Sequence, residues 1–498
     1  MKKRIPALLL VALMMTQFAA CSEAPADEGT ASGSEVSTPA AEEAAAAETT
    51  EEDVLNALLA EVPGGDYGGY EFTMLNNESN FAYTLMSAEE LTGEGINDAI
   101  YNRNVAVAEK LNIAIKENMV TYSQVTTDMN TCIAAGDDTY SCFWNESQFV
   151  APFAINGQLL NVYDLTAINL ENPWWNDKAL ADVQVGDYQY FLVGDLHLMF
   201  KESFWMCGFN KNIIDENALG DPYELVREGA WTLDQMKTYM ETAAMDLDGN
   251  GTMDGADRFG VTCYSGCVGA FVLGAGETFI ERGEDGTPML ITPDDRFFAV
   301  YEKIVSAMFD PANTYVCMDG KTQNIAQYEN GWHGVFSSGH ALFYLEPIGS
   351  LKKLRDMDAE FGIVPFPKYD EAQENYTTYI ARYAAFCGVP VTTSDMQRTG
   401  TILENLCAYS YGDLRQAYVE TTLNFKYIRD QESAEMLNLI LESGSFNLTD
   451  ILGVNSPVDT YTSNAVAAKM EIASSYTKIL NASNKLLDKN IKKLMKVE

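Results

Sequence analysis

Oxygen-bearing side chains recur at regular spacing in the twelve residues 246–257. They stand at positions 1, 3, 5, 7, 9 and 12 of this segment: Asp246, Asp248, Asn250, Thr252, Asp254 and Asp257. Gly251 occupies position 6, where a loop that wraps around an ion must turn sharply. Because Ca²⁺ prefers six to eight oxygen ligands, the spacing predicts a structural calcium loop. Asp257 departs from the EF-hand pattern, which has a bidentate glutamate there, and a solvated acidic turn is the alternative.

The N-terminal residues are typical of a signal peptide, here residues 1–20. Lys2, Lys3 and Arg4 precede an apolar run that ends at Phe18 and is shorter than the ~20 residues that a membrane-spanning helix needs. The tetrapeptide from Phe18 to Cys21 resembles a lipobox, in which the cysteine is lipidated and becomes the first residue of the mature chain. We therefore expect a lipoprotein anchored at Cys21, because two acyl chains give stable attachment. Phe18 replaces the usual leucine, and ordinary cleavage that leaves a free Cys21 is the alternative.

Residues 21–65 are predicted to form a disordered acidic linker behind this anchor. Ser22 to Asp53 contains ten acidic residues and no Lys or Arg. Such a segment cannot bury enough apolar surface to offset the loss of chain entropy.

The charge of the chain excludes one class of function. With 72 acidic and 32 basic residues the formal net charge is −40. A nucleic acid would be repelled by this field, so we expect no nucleic-acid binding. Beyond the signal peptide there is no apolar run of ~20 residues, which leaves the predicted lipid as the membrane attachment.

Eight cysteines follow Cys21. In a secreted chain Cys263 could pair with Cys267, and Cys132 with Cys142, but a body of this size does not depend on disulfides. Buried free thiols are the alternative, and the sequence leaves the two open.

The body begins with an alternation of strands and helices. Strands are predicted at 70–75, 113–115 and 141–144, with helices at 97–111 and 123–135 between them. Such a β-α-β-α-β order implies a parallel sheet, whose ligands bind beyond the carboxyl ends of the strands. That rule selects residues after the first and third strands as ligand-binding candidates: Asn76, Asn77, Trp144, Asn145 and Glu146. A tryptophan beside polar side chains suits a sugar, which has flat apolar faces ringed by hydroxyls, although packing is the commoner role of a lone tryptophan.

Catalytic motifs give no support to an enzyme. Ser337 and Ser338 lack the glycine that a nucleophile elbow places two residues before the serine. There is no His-Glu-x-x-His signature and no phosphate-binding glycine loop. Glycoside hydrolysis needs only two carboxylates, so residue types alone do not exclude it.

Four segments, in order along the body, resemble the extracellular solute-binding proteins of ABC importers (family 1, sugar-binding type). They are 190–195 with 209–212, the helix start at Trp231 to Met236, the strand at Gly339 to Tyr344, and the stretch from Phe361 to Lys368. At the helix start, Thr232 and Gln235 have capping-box spacing.

The resemblance implies an α/β, bilobed periplasmic-binding-protein-like fold (type II), with two α/β lobes joined by a hinge. Lobe 1 would combine 66–200 with 361–410, and lobe 2 would combine 201–360 with 411–498. The ligand would bind in the interlobe cleft and be buried by hinge closure.

Further candidate ligand residues follow from the implied crossings between lobes. They are Trp205 after the first crossing, Tyr344 and Glu346 at the end of a strand, and Arg382 with Tyr383 after the second crossing. The resemblance implies a monomer without catalytic activity that captures an oligosaccharide and delivers it to the permease subunits at the extracellular face of the cell membrane. A peptide or another polar solute is the alternative ligand.

Overall fold

The computed structural model describes residues 50–80, 82–317, 331–423 and 431–496. The chain divides into two units, Met1–Val62 and Pro63–Glu498. Cys21 and most of the predicted linker lie outside the described residues. Within the described residues, no helix is both long and apolar enough to span a bilayer.

In the first unit, the end of the predicted linker is helical. Helix α1 covers Glu51–Glu61, and its first turn is closed by a capping box between Thr50 and Asp53. The composition predicts disorder through residue 65. The structure differs because this local cap satisfies the first N–H groups of the helix.

The second unit opens with the predicted alternation, which the structure confirms. The elements are β1 (Tyr70–Asn77), α2 (Gly95–Leu111), β2 (Ile113–Val120), α3 (Tyr122–Ala135) and β3 (Cys142–Glu146). β1 pairs in parallel with both β2 and β3. The strands extend a few residues beyond the predicted ends, so that Asn76, Asn77 and Glu146 belong to the strands and do not follow them.

Later strands complete this first sheet and build a second one. The strands are β4 (Trp205–Asn210), β5 (Phe259–Tyr264), β6 (Ile280–Arg282), β7 (Pro288–Leu290), β8 (Thr314–Cys317), β9 (Ala341–Pro347), β10 (Phe361–Val364), β11 (Thr378–Ile380), β12 (Ala385–Gly388) and β13 (Gly444–Phe446). The first sheet has the order β12-β3-β1-β2, and the second has the order β10-β4-β9-β5-β8. Two further two-stranded sheets pair β11 with β13 and β6 with β7.

Helices cover the sheets. Up to residue 308 they are α4 (Ser147–Ile155), α5 (Asp177–Val183), α6 (Leu198–Glu202), α7 (Lys211–Glu216), α8 (Pro222–Arg227), α9 (Leu233–Ala243), α10 (Cys267–Gly274) and α11 (Asp295–Met308). After it they are α12 (Trp332–Ser337), α13 (Met396–Tyr409), α14 (Arg415–Leu423), α15 (Gln431–Glu442), α16 (Leu448–Ile451), α17 (Ser456–Val466) and α18 (Ala473–Leu494). The predicted α/β class is confirmed.

The α9 helix begins where the Trp-Thr motif predicted. Thr232 is its N-cap, and the Thr232 side chain accepts a hydrogen bond from the N–H of Gln235 at 3.3 Å. The second hydrogen bond of a capping box would run from the Thr232 N–H to the Gln235 side chain. It is not found among the described residues, because the Gln235 side chain hydrogen bonds to Tyr239 instead.

The chain passes between the sheets along adjacent segments. The N–H of Ala381 donates to the Ser203 carbonyl at 2.9 Å, and Phe204 bridges Ile380. The first passage, at 203–204, is close to the expected position near residue 200. The second passage comes later than residue 361, because the buried apolar strand β10 pairs antiparallel with β4 of the second sheet.

The C-terminal elements are shared between the sheets. Residues Ser410–Leu414 and α14 pack on α2, on the side of the first sheet, whereas α17 packs on α10 and α11, on the side of the second. The resemblance implies that all of 411–498 belongs to the second lobe. The packing shows instead that the beginning of this range lies on the side of the first sheet.

Candidate functional site

One edge of the first sheet gathers a carboxylate and an arginine. Glu146 ends β3, and Arg382 lies just before β12, which runs antiparallel to β3. The Arg382 carbonyl accepts from the hydroxyl of Ser147 at 2.6 Å, which ties the turn to the start of α4. Gln148 donates to Glu146 at 2.6 Å. Burial raises the pKa of Glu146, while Gln148 and the positive charge of Arg382 lower it.

The corresponding edge of the second sheet combines aromatic rings with another carboxylate. The indole N–H of Trp332 donates to Glu346 at 2.7 Å, and the Ser350 hydroxyl donates to the same carboxylate at 3.0 Å. Tyr264, the last residue of β5, stacks on Trp332 with ring centroids 5.9 Å apart. Both rings are half-buried, so this edge presents partly open aromatic surface next to a carboxylate.

Tyr383 lies where the two edges meet. Burial raises the pKa of its phenol well above the usual value, and Glu346, Glu202 and Glu146 raise it further. Glu146 ends a strand of the first sheet and Glu346 belongs to the second. Tyr383 also lies in the segment between Ile380, which bridges Phe204 next to β4, and Ala385, which pairs with Glu146 at the end of β3, so this segment joins the two sheet edges.

Two of these carboxyl groups are deeply buried. Burial raises the pKa of Glu346 to about 7, although the hydrogen bonds from Trp332 and Ser350 oppose the shift. Burial likewise raises the pKa of Glu202 to about 7, against the positive charge of Lys352 and a hydrogen bond from the Tyr83 N–H. These carboxyl groups change their protonation state near neutral pH.

A further acidic group lies beside Arg382. The Tyr379 hydroxyl donates to Asp450 at 2.8 Å, and burial raises the pKa of Asp450 to about 6. Arg382 lowers the pKa of Asp450 and of the exposed Asp459. The exposed guanidinium therefore lies in a largely acidic environment.

Trp205 begins β4 at the same edge of the second sheet as Glu346. Its ring stacks on Tyr379 with centroids 6.3 Å apart, and only 4% of the residue is exposed. Its indole N–H has no hydrogen-bond partner among the described residues. A buried unpaired donor at this position suits a ligand oxygen.

Tyr344 lies deeper than the other predicted residues of this sheet. It is fully buried in β9, stacks on Phe336 and hydrogen bonds through its hydroxyl to Nδ1 of His333 at 2.5 Å. The structure therefore brings together Glu146, Arg382, Tyr383, Trp205 and Glu346, and it places Tyr344 behind them.

The remaining predicted residues of the first sheet lie in the interior. Asn76 donates to Glu117 at 2.7 Å and hydrogen bonds to His197. Asn145 donates to the Tyr122 carbonyl at 2.9 Å. Trp144 is 2% exposed and packs on His197.

Asn77 is buried as well, and its side-chain oxygen has no hydrogen-bond partner among the described residues. Interior packing satisfies most of the polar groups that the strand-end rule selected.

The candidate site also contains residues that the sequence patterns do not predict: Glu202, Tyr264, Trp332, Tyr379 and Asp450. Tyr264 ends a β-strand, so the strand-end rule would have found it if β5 had been predicted. Glu202 and Asp450 gave no local signal, because their burial depends on segments distant in sequence.

The loop 246–257 closes on itself through backbone pairing between Met245 and Arg258. Within it, carboxylate oxygens of Asp246, Asp248 and Asp257 lie within 4.8 Å of one another. Asp257 is buried and accepts from the N–H groups of Leu247 and Asp254, at 2.8 Å each.

The backbone follows the predicted turn in this loop. Gly249 and Gly251 both adopt a positive φ, 71° and 81°. The three converging carboxylates fit a hard cation such as Ca²⁺. The Asn250, Thr252 and Asp254 side chains are exposed and contribute no further carboxylate to this group.

The fold has many counterparts among solved structures. An ABC substrate-binding protein from Listeria monocytogenes, in complex with cycloalternan, is 13% identical with a TM-score of 0.51, covering 86% of this chain and 100% of its own. The cyclic alpha-maltosyl-1,6-maltose binding protein from Arthrobacter globiformis is 14% identical with a TM-score of 0.53, over 85% and 100%. UgpB from Mycobacterium tuberculosis, in complex with glycerophosphocholine, is 14% identical with a TM-score of 0.54, over 85% and 99%.

No family model matches the chain, and no curated protein matches it. The structural likeness at this low identity shows the fold, which is that of the ABC solute-binding proteins. It confirms the bilobed periplasmic-binding-protein-like fold predicted from the sequence resemblance.

Proposed function

We propose that the chain is the extracellular solute-binding lipoprotein of an ABC importer, and that it captures an oligosaccharide between its two sheets for delivery to the permease. The observation that carries this proposal is the closeness of the two sheet edges. Ile380 bridges Phe204, which directly precedes β4 beside Glu346, and five residues later Ala385 pairs with Glu146 at the end of β3. Three of the solved structures with this fold are described as proteins bound to, or binding, cycloalternan, cyclic maltosyl-maltose and glycerophosphocholine.

The chemistry of the site favours a neutral sugar. Carboxylates accept strong hydrogen bonds from sugar hydroxyls, and the half-buried Trp332 and Tyr264 offer flat apolar surface for a pyranose ring. An anionic ligand would face Glu146, Glu202, Glu346 and Asp450, with Arg382 as the compensating charge. The acidic surroundings therefore disfavour a phosphate or carboxylate ligand.

A peptide or another polar solute is the second candidate. The fold alone does not select a sugar, since UgpB with this fold is described in complex with glycerophosphocholine. A secreted carbohydrate-active enzyme is a third candidate, and it requires that the bound sugar be consumed.

A thermal-shift screen separates these candidates. The mature chain is heated with neutral oligosaccharides, with peptides and with glycerophosphocholine, and the sugars are then recovered and identified by mass spectrometry. A ligand at ~100 times its dissociation constant stabilises the folded state by about 2.7 kcal/mol. We expect one class of oligosaccharide to raise the melting temperature and to be recovered unchanged.

For the loop 246–257 we propose a structural Ca²⁺ ion. Support comes from the three carboxylates that lie within 4.8 Å and from the positive φ of Gly251 in the turn. The ligand set would be completed by the oxygen atoms of Asn250, Thr252 and Asp254 after a small rearrangement of their exposed side chains.

The lipid anchor at Cys21 and the location at the extracellular face of the cell membrane belong to the same proposal. They rest on the signal peptide and the lipobox-like sequence. Mass spectrometry of the N-terminal peptide of the mature chain tests them, since a diacylated Cys21 and a free Cys21 differ by the mass of the lipid.

A further inference from the structure

The last helix, α18, is basic in a strongly acidic chain. The chain as a whole has a formal charge of −40, yet residues 473–494 contain only one acidic residue, Asp488. Six lysines lie on α18 or directly after it: Lys478, Lys485, Lys489, Lys492, Lys493 and Lys496. All six are exposed.

These lysines project from one side of the helix. With about 100° of rotation per residue, the five lysines on α18 itself fall within an arc of about 100°. Lys496 follows the helix with a left-handed backbone, at a φ of 55°. The buried residues of α18, which include Leu487, Ile491 and Leu494, fall on the opposite side. The basic face, defined as these six lysines, extends for about 22 Å from Lys478 to Lys493 at 1.5 Å per residue, and Lys496 lies just beyond.

The positive charges of the basic face are not paired with carboxylates of the described residues. None of its lysines forms an ion pair with a described residue, whereas Lys116 pairs with Glu71 and Lys303 pairs with Asp234. Lys496 contacts an uncharged group, the ring of Tyr188, at 5.7 Å from its centroid. Lysines three and four residues apart on a helix repel one another. The pattern therefore costs helix stability, and an external polyanion would offset that cost.

We propose that the basic face lies on the anionic phospholipid headgroups of the membrane. Every cation in it is lysine, a compact point charge that suits a diffuse layer of charge, and arginine, which suits bidentate recognition of defined groups, is absent. Leu486, which is 41% exposed at the edge of the face, adds apolar contact.

The predicted lipid at Cys21 would keep the chain within reach of such a surface. The remainder of the chain is even more acidic than the whole and is repelled by the same headgroups. Attraction at α18 and repulsion elsewhere would orient the chain with α18 toward the bilayer.

Lysine footprinting on vesicles tests this orientation. The processed full chain is bound to vesicles of phosphatidylcholine, or of phosphatidylcholine with 30% phosphatidylglycerol, and lysines are acetylated and quantified by mass spectrometry. We expect the six lysines of the basic face to lose reactivity only on the anionic vesicles, and to regain it in high salt. Because both vesicles accept an acyl chain equally, the comparison does not depend on Cys21 processing.

A matched pair of variants gives the control. K485Q/K489Q/K492Q removes three charges from the basic face, and K116Q/K237Q/K353Q removes three from other elements. The first variant should abolish the protection of Lys478, Lys493 and Lys496, because each lysine contributes about a fivefold factor to binding. The second variant should retain that protection.

Two outcomes would overturn the proposal. One is equal reactivity of the basic face on neutral and anionic vesicles. The other is protection by added poly-glutamate but not by anionic vesicles, which would assign the face to an acidic protein partner.

Discussion

Trp332 donates its indole N–H to Glu346 at 2.7 Å, which fixes an aromatic ring beside a buried carboxylate at the edge of the second sheet. Trp332 begins the short helix α12, and Glu346 lies near the end of β9. The pair combines the two features that a sugar site needs, an apolar face and a strong hydrogen-bond acceptor.

Replacing Trp332 should weaken ligand binding. For the oligosaccharide that stabilises the chain, we expect W332A to lower the affinity about 10-fold, because about 1.4 kcal/mol of stacking is lost. W332F keeps a ring and should lose less. Isothermal titration calorimetry measures both, and Y163A at an exposed aromatic residue away from the site is the control. Unchanged affinity in W332A would show that Trp332 does not contact the ligand.

Glu346 should make the stability of the chain depend on pH. Its folded pKa is raised to about 7, so the folded state holds the proton more tightly than the unfolded state does. Stability contributed by this group is present below about pH 4.5 and is lost as the pH rises to about 7. E346Q should not show this loss. We therefore expect the free energy of unfolding of E346Q, relative to that of the wild type, to increase by roughly 1–3 kcal/mol from pH 5 to pH 7.5.

Urea unfolding at the two pH values measures this difference. E90Q, which removes an exposed carboxylate, controls for the change in net charge. If the wild type and E346Q differ by the same amount at both pH values, the raised pKa of Glu346 is contradicted.

The proposed calcium site in the loop 246–257 can be tested without disturbing the fold. Asp248 is exposed, and its carboxylate accepts hydrogen bonds only from Asn250 among the described residues. D248N should therefore keep the melting temperature measured in EDTA and lose the increase that Ca²⁺ gives to the wild type.

Asp257 should behave differently from Asp248, because it is buried and its two oxygens accept from Leu247 and Asp254. D257N should lower the melting temperature even in EDTA, since an amide nitrogen cannot accept a hydrogen bond. If Ca²⁺ does not change the melting temperature of the wild type, the proposed calcium site is contradicted.

Glu404 should be important for stability. This fully buried carboxylate of α13 accepts from the indole N–H groups of Trp174 and Trp175, at 3.1 and 2.8 Å, and from Asn172 at 2.6 Å. E404A would leave these donors unpaired, and we expect it to lower the free energy of unfolding by about 3–5 kcal/mol.

E404Q retains one accepting oxygen and should cost less than E404A. Urea denaturation measures both, and the exposed E90Q again serves as the control. A cost below about 1 kcal/mol for E404A would show that the donors find other partners.

The sequence predicts the fold better than the site. The opening strands and helices were placed to within a few residues, because Ile100, Val107 and Leu111 repeat on one face of a helix and become buried. The second passage between the sheets was placed too early, because the resemblance gave no information on the pairing of β10 with β4.

The site depends on contacts that sequence spacing does not record. Glu346 and Arg382 are predicted from the lobe crossings that the resemblance implies, and Glu146 is predicted by the strand-end rule; the structure brings them together. Trp144 was selected by the same reasoning, yet it packs against His197 in the interior. Successive side chains of a strand point to opposite faces of the sheet, so only some residues near a strand end face the site. The strand-end rule does not specify which ones.

The measurement that tests the central claim most directly is isothermal titration calorimetry of the mature chain with a panel of neutral oligosaccharides, followed by chromatography of the recovered sugar. We predict saturable binding of one molecule of an oligosaccharide per chain, with the sugar recovered unchanged. Saturable binding of a peptide with no response to any sugar would contradict the proposed ligand, and conversion of the sugar would show that the chain is an enzyme.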